Sequence, residues 1–256
     1  MNLPFISCLC PTFRRPKLLR NAIECFLSQD YPADRRELII VDDDDAYENL
    51  EYKTPRGNYR VISHSRAYSS LTEKYNAIAG IAEGEVFAVW EDDDVYLPWH
   101  LSSNVECMGR SLNIPWLSKS KRVFSTYGNR FQVEESTGRF HASLVFNRVA
   151  FEKVGGWPNT KRADFDQMFI QSFIKNVSVC DPTERGAKPS YCFMWEQSNC
   201  YHGQSFMRSP DDEEWYSRGR SLIPVPDDYP RYLYPQATIE SIKVLELATS
   251  WNGSTE

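Results

Sequence analysis

Short apolar runs that each stop at a polar or acidic residue constrain this chain more than any other feature. Phe5 to Cys10 is apolar and stops at Pro11. Leu38 to Val41 stops at Asp42, and Val86 to Trp90 stops at Glu91. Tyr59 to Ser63 offers a further strand-like run. Between them lie segments of helical period. Leu18, Leu19, Ala22, Ile23, Phe26 and Leu27 share one face behind Pro16, which suits a first helical turn. Ala67 to Glu83 places Leu71, Tyr75, Ile78 and Ala82 on one side, with Gly84 in the usual position of a helix C-terminus. Strand and helix in alternation predict an α/β fold with a mostly parallel central sheet and helices on both faces. In such sheets ligands bind at the carboxyl ends of the strands. Those ends carry Pro11-Thr12, Asp42 to Asp45 and Glu91 to Asp94, so three polar clusters converge on one edge.

The second half is less regular. Arg122 to Tyr127, Ser143 to Asn147 and Tyr191 to Trp195 read as strands. Val149 to Val154 reads as a short helix, Gly155-Gly156-Trp157-Pro158 as a turn, and Asp164 to Ile174 as a helix with an acidic start. Gly203 to Tyr234, rich in Pro, Asp, Arg and Tyr, reads as long loops, with a mobile lid over Gly203 to Ser221. Ala237 to Trp251 reads as a final amphipathic helix. With 256 residues, one large domain is expected. It divides into a ligand-binding half (1–101), a second half (102–202), and a loop with a C-terminal helix (203–256).

Charge and cysteine usage narrow the function classes. A net charge of -6 gives no basic stripe for a general nucleic-acid binder. It leaves room for a phosphate-bearing small ligand, since a bound cation reverses local charge. The seven cysteines are odd in number and form no C-x-x-C pair, which predicts neither a disulfide framework nor a zinc site. No signal peptide and no apolar run of membrane-spanning length is read, so a cytoplasmic protein is expected.

Chemistry concentrates at the strand ends. Glu91-Asp92-Asp93-Asp94 follows a buried strand directly. Hard divalent cations such as Mg²⁺ or Mn²⁺ take carboxylate oxygens and share them with substrate phosphates. Four adjacent acids repel one another unless a cation or hydrogen-bond donors answer them; a solvated loop is the alternative. Asp42 to Asp45 could accept hydrogen bonds from a nucleobase or ribose, or form a solvated turn.

The order of these motifs resembles the inverting family 2 glycosyltransferases of the GT-A fold. "SCLCPTFRR" at Ser7 to Arg15 is similar to that family's opening strand and nucleotide loop, and "FLSQDYP" at Phe26 to Pro32 to the end of its first helix. "ELIIVDDDD" at Glu37 to Asp45 resembles its second strand with a base-binding aspartate. "KYNAIAGIAEGEVFAVWEDDDVYLPWHL" at Lys74 to Leu101 resembles its helix, strand and metal motif. "VAFEKVGGWP" at Val149 to Pro158 resembles the segment before its acceptor site.

The resemblance implies a GT-A, Rossmann-like fold with a smaller acceptor-side region, and roles for individual residues. The Asp-x-Asp motif falls on Glu91-Asp92-Asp93, with glutamate in first place. Asp93 is then the direct metal ligand, Glu91 and Asp92 lie near the ribose and diphosphate, and Asp94 supports the loop. Pro11, Thr12 and Arg14 flank the nucleoside; Asp43 holds the base, with Asp42 beside it. Lys74 and Asn76 fall near the donor phosphates. His202 completes the metal site, whereas His64, His100 and His141 are read as structural. Asp164 is the favoured general base, with Asp166 the alternative and one of the two a helix cap. Trp157 and Trp195 are candidates for an acceptor-binding aromatic face. The activity implied is metal-dependent transfer, with Mn²⁺ or Mg²⁺, of a sugar from a nucleoside-diphosphate donor, UDP-sugar favoured, to a saccharide or other hydroxyl acceptor. A nucleotidyltransferase fits less well, because Pro11 to Arg15 has no glycine for a phosphate loop. A carbohydrate- or cation-binding module without activity is the third reading.

Overall fold

The computed structural model describes residues 3–109, 112–127, 130–135, 140–194 and 220–222. The first apolar run forms β1 (Ile6–Thr12), buried along its whole length. It is followed by α1 (Pro16–Leu27), with Pro16 in the first turn, and β2 (Arg36–Asp42). A hairpin of β3 (Leu50–Thr54) and β4 (Gly57–Ser63) comes next, then α2 (Leu71–Ile81) and β5 (Val86–Val89). After β6 (Val95–Tyr96) come α3 (His100–Met108), β7 (Trp116–Ser118), β8 (Arg122–Tyr127) and β9 (Arg130–Glu135). The described residues end with β10 (Val145–Asn147), α4 (Arg148–Val154), α5 (Phe165–Asn176), β11 (Ser178–Cys180), β12 (Tyr191–Met194) and β13 (Arg220–Leu222).

Eight strands form one sheet in the order β11-β7-β10-β5-β1-β2-β4-β3. Its centre is parallel: β1 pairs with both β2 and β5, and β2 with β4. β10 runs antiparallel to β5 and β7, so residues after 101 extend the same sheet. The central strands are apolar on both faces, as two covered faces require. Ile6, Cys8, Cys10, Val86 and Ala88 pack with α1 and α3. Leu9, Ile39, Phe87 and Val89 face the opposite way and pack with α2, α4 and α5. β3 was not anticipated from the sequence. It is an edge strand whose exposed Glu51 and Lys53 interrupt the apolar signal while protecting the edge.

A second sheet of five strands has the order β13-β9-β8-β12-β6. Residues 91–94 connect β5 of the large sheet to β6 of the small one. The acidic run is therefore the junction of the two sheets.

Two sequence expectations change here. Gly84 does not end α2 in the left-handed conformation; the helix stops at Ile81 and extended Ala82 closes it. Gly84 is needed because a Cβ there would lie 2.6 Å from the Ser7 backbone nitrogen, where the chain passes close to β1. The loop expected over Gly203 to Tyr234 lies mostly outside the described residues. Within it, Arg220–Leu222 pairs antiparallel with β9. The helix expected over Ala237 to Trp251 also lies outside them.

Candidate active site

The acidic loop is pinned at both ends by aromatic packing. Trp90 is fully buried, stacks on Tyr96 at 3.9 Å and donates its indole N–H to the Ala22 carbonyl at 3.1 Å. Tyr96 in turn accepts the Glu91 backbone N–H on its hydroxyl at 2.7 Å. Asp94 accepts the Tyr191 hydroxyl and the Met194 backbone N–H, the latter at 3.1 Å, which fastens the loop to β12. Glu91, Asp93 and Asp94 each offer a ligand oxygen within 4.8 Å of the others. Burial, reinforced by Asp93 and Glu91, pushes the Asp94 carboxyl well above the usual carboxylate range.

Asp92 points to β1. It accepts the Thr12 hydroxyl at 2.6 Å and lies 2.7 Å from an Arg15 guanidinium nitrogen. The same guanidinium donates to Asp93 at 2.8 Å. Burial works against the charged arginine, but Asp92 and Asp93 outweigh it and hold Arg15 above its ordinary range. Burial also raises the Asp92 carboxyl, against the pull of Arg15. Arg14 takes the other direction. It has a φ of 53°, is exposed, and chelates Asp44.

The β2 acids are each held separately. Asp42 is fully buried, and one carboxylate oxygen accepts the Ala46 N–H at 2.9 Å and the Ser63 hydroxyl at 2.7 Å. Asp43 accepts the Lys74 ammonium at 2.6 Å and the Tyr68 N–H at 3.0 Å. Lys74, itself buried, also donates to the Thr12 carbonyl at 2.6 Å and so ties α2 to the end of β1.

An aromatic cluster joins the acidic loop to α5. His141 Nδ1 lies 3.1 Å from Glu91 Oε1, and the Tyr75 hydroxyl donates to the same oxygen at 3.2 Å. Trp157 donates its indole N–H to His141 Nε2 at 2.8 Å. Its ring is stacked between Tyr75 at 4.8 Å and Phe169 at 4.3 Å. Asn76 clamps the Trp157 backbone, accepting its N–H at 2.9 Å and donating to its carbonyl at 3.0 Å. Gly156, with φ +78°, makes this approach possible, since a Cβ there would lie 2.6 Å from Asn76 Oδ1. Phe165 and Phe169 of α5 pack edge-on to His141 at 5.6 and 5.9 Å. The start of α5 therefore sits beside the acidic loop. Asp164 precedes the helix, exposed, and is chelated by Arg162 at 2.8 and 2.7 Å. That pairing holds its carboxyl below the usual range. Asp166 accepts the Gln167 N–H at 2.7 Å and its side-chain amide at 3.0 Å.

The sequence profile described as Glycosyl transferase family 2 matches residues 7–146, which covers β1 through the middle of β10. The chain belongs to glycosyl transferase family 2. Its fold is that of solved GT-A glycosyltransferases. A Staphylococcus aureus TarS fragment, 1–349, in complex with UDP-GlcNAc matches with a TM-score of 0.56 at 15% identity, over 82% of this chain and 64% of that one. A mannosyltransferase of Pyrobaculum calidifontis, in complex with GDP-Man and Mn2+, matches with a TM-score of 0.55 at 16% identity, over 79% and 60%. The chain thus spans about 60% of the length of the solved structures it matches. No curated protein matches it.

Within this family member, several of the expected site residues are engaged by other parts of the chain. Arg15 reaches the acids after β5, whereas Arg14, at a left-handed φ of 53°, pairs with Asp44. Pro11 lies buried in β1, and Asn76 has its amide engaged by the Trp157 backbone. Asp164 does not cap α5 with its side chain, because Arg162 binds both oxygens. Trp157 is 2% exposed and belongs to the core, so it offers no face to an acceptor. His202 and Trp195 lie outside the described residues. His141, read as structural, contacts Glu91. Its only sequence signal was an unassigned histidine in the segment before β10.

Proposed function

We propose that this chain is a metal-dependent inverting glycosyltransferase that moves a sugar from a nucleoside-diphosphate donor to a hydroxyl acceptor. The observation that carries the reading is the convergence of Glu91, Asp93 and Asp94 at the carboxyl end of β5, beside the ends of β1 and β2 and the start of α5. Carboxylate oxygens are the donors that Mn²⁺ and Mg²⁺ prefer, so these three residues fit as the cation's holders. A bound cation supplies neutralising charge for a departing nucleoside diphosphate. The two matched complexes hold UDP-GlcNAc in one case and GDP-Man with Mn2+ in the other, which supports a nucleotide-sugar donor. Uridine is our preferred base.

The chain's own residues then divide the work. Thr12, Asp43 and Lys74 form the wall for the nucleoside and phosphates, and Arg15 is close enough to the acids to meet a diphosphate. Asp164 takes the proton from the acceptor hydroxyl as that oxygen attacks the anomeric carbon. Its pairing with Arg162 holds the carboxyl below the usual range, so it is ionised at neutral pH but must leave Arg162 before it serves as the base. Asp166 is the alternative base. We further propose a reducing compartment, since the six described cysteines are free and buried. Incubation with UDP- and GDP-sugars tests the reading. Slow nucleoside-diphosphate release that requires Mn²⁺ or Mg²⁺ is expected. Absence of release and of transfer with every donor and either metal would overturn it.

A further inference from the structure

We propose that His141 is a positioning residue that fixes Glu91 through a tautomer dictated by Trp157. This rests on the reading of Glu91 as part of the cation site. An indole nitrogen can only donate. With the Trp157 N–H 2.8 Å from Nε2, that ring nitrogen must be the acceptor. The single proton of the neutral imidazole is then on Nδ1, which is 3.1 Å from Glu91 Oε1. Nδ1–H therefore donates to the carboxylate and is not available as a metal ligand.

The arrangement is enclosed by packing and hydrogen bonds. His141 is 6% exposed. Trp157 cannot rotate away, because Tyr75 and Phe169 stack on its two faces and Asn76 holds its backbone. Tyr75, the same ring that stacks on Trp157, gives Glu91 Oε1 its second donor. Two donors on one oxygen fix the orientation of the glutamate that replaces the commoner aspartate in the motif. A longer side chain has one more rotatable bond, and so has more need of such fixing. Because Phe165 and Phe169 also pack on His141, the same ring relates the cation-holding loop to the helix that carries Asp164 and Asp166.

The test compares two amide replacements in the full chain. Asparagine places an N–H near the Nδ1 position and can still donate to Glu91. Glutamine reaches the Nε2 position, can accept from Trp157, and leaves Glu91 without this donor. Mn²⁺ affinity is read by calorimetry in the presence of UDP. H141Q is expected to weaken it about 10- to 100-fold, the usual cost of losing an outer hydrogen-bond partner. H141N is expected to restore most of it. Equal losses in both variants, or wild-type affinity in H141Q, would overturn the proposal. Nitrogen-15 imidazole spectra of the wild-type protein give a second readout that needs no variant to fold. One neutral histidine protonated on Nδ1, perturbed by Mn²⁺, is expected; finding no such tautomer would also overturn it. UDP binding by the wild type without any Mn²⁺ dependence would instead remove the cation reading, and this inference with it.

Discussion

Two acidic runs follow the strands on either side of β1, and their side chains are arranged differently. Asp42 to Asp45 follows β2, and Glu91 to Asp94 follows the β5 strand. In the first run each of the first three acids has its own partner: Asp42 the Ala46 N–H and Ser63, Asp43 the Lys74 ammonium, Asp44 the Arg14 guanidinium. Their side chains diverge. In the second run, Trp90 and Tyr96 pin the loop between two sheets, and Glu91, Asp93 and Asp94 turn toward one point. Buried Asp42, matched to donors of its own chain, supports structure. Carboxylates whose oxygens gather within 4.8 Å of one another offer one cation a shared set of ligands.

The largest contrast is expected at Asp93. Asp93→Ala is expected to abolish Mn²⁺-supported binding of UDP, measured by thermal shift with and without the metal. Retained metal dependence would erase the distinction between the runs. Next comes Asp164→Asn, placed beside the second run through α5. It is expected to lower transfer by about 10²–10⁴ while leaving nucleotide affinity nearly unchanged. Asp166→Asn is the control and is expected to keep most activity. The reverse result would move the base to Asp166.

Asp42→Ala probes the first run where it is buried. Removing the carboxylate leaves the Ala46 N–H and the Ser63 hydroxyl without their acceptor, at a cost of about 1–3 kcal/mol. Urea denaturation is expected to show that loss, and nucleotide binding by the folded protein to change little. A large loss of affinity at unchanged stability would assign Asp42 to the ligand after all. The smallest effect is expected for Arg14→Ala. Its pairing with Asp44 is exposed, and such pairs contribute little against solvent and salt. No measurable change in unfolding midpoint is expected, and UDP affinity should stay near wild type. A marked drop in affinity would return Arg14 to the nucleotide wall.

The apolar runs at Phe5, Leu38 and Val86 were enough to identify the parallel centre of the sheet. A strand buried on both faces has no polar alternation and stands out in a sequence. Placing the acids at the carboxyl ends followed from the same runs. Two-residue and three-residue strands such as β6, β7 and β11 carry too short a pattern to read, and they became visible only through their pairing. The sequence also placed Asp42 and Asp93 in equivalent settings, each near the start of an acid run after an apolar strand. What separates them is nonlocal. Ser63 comes from β4, Thr12 from the end of β1, Arg15 from the residue before α1, His141 from a turn 50 residues beyond Glu91. Likewise Trp157 looked like an aromatic platform for sugar, and only the stacking of Tyr75 and Phe169 shows it to be core. Local pattern determines which face of an element is buried. Which partner meets a side chain is decided by the packing of elements far apart in the chain, because hydrogen bonds and ion pairs depend on distances of a few ångströms that no sequence spacing sets.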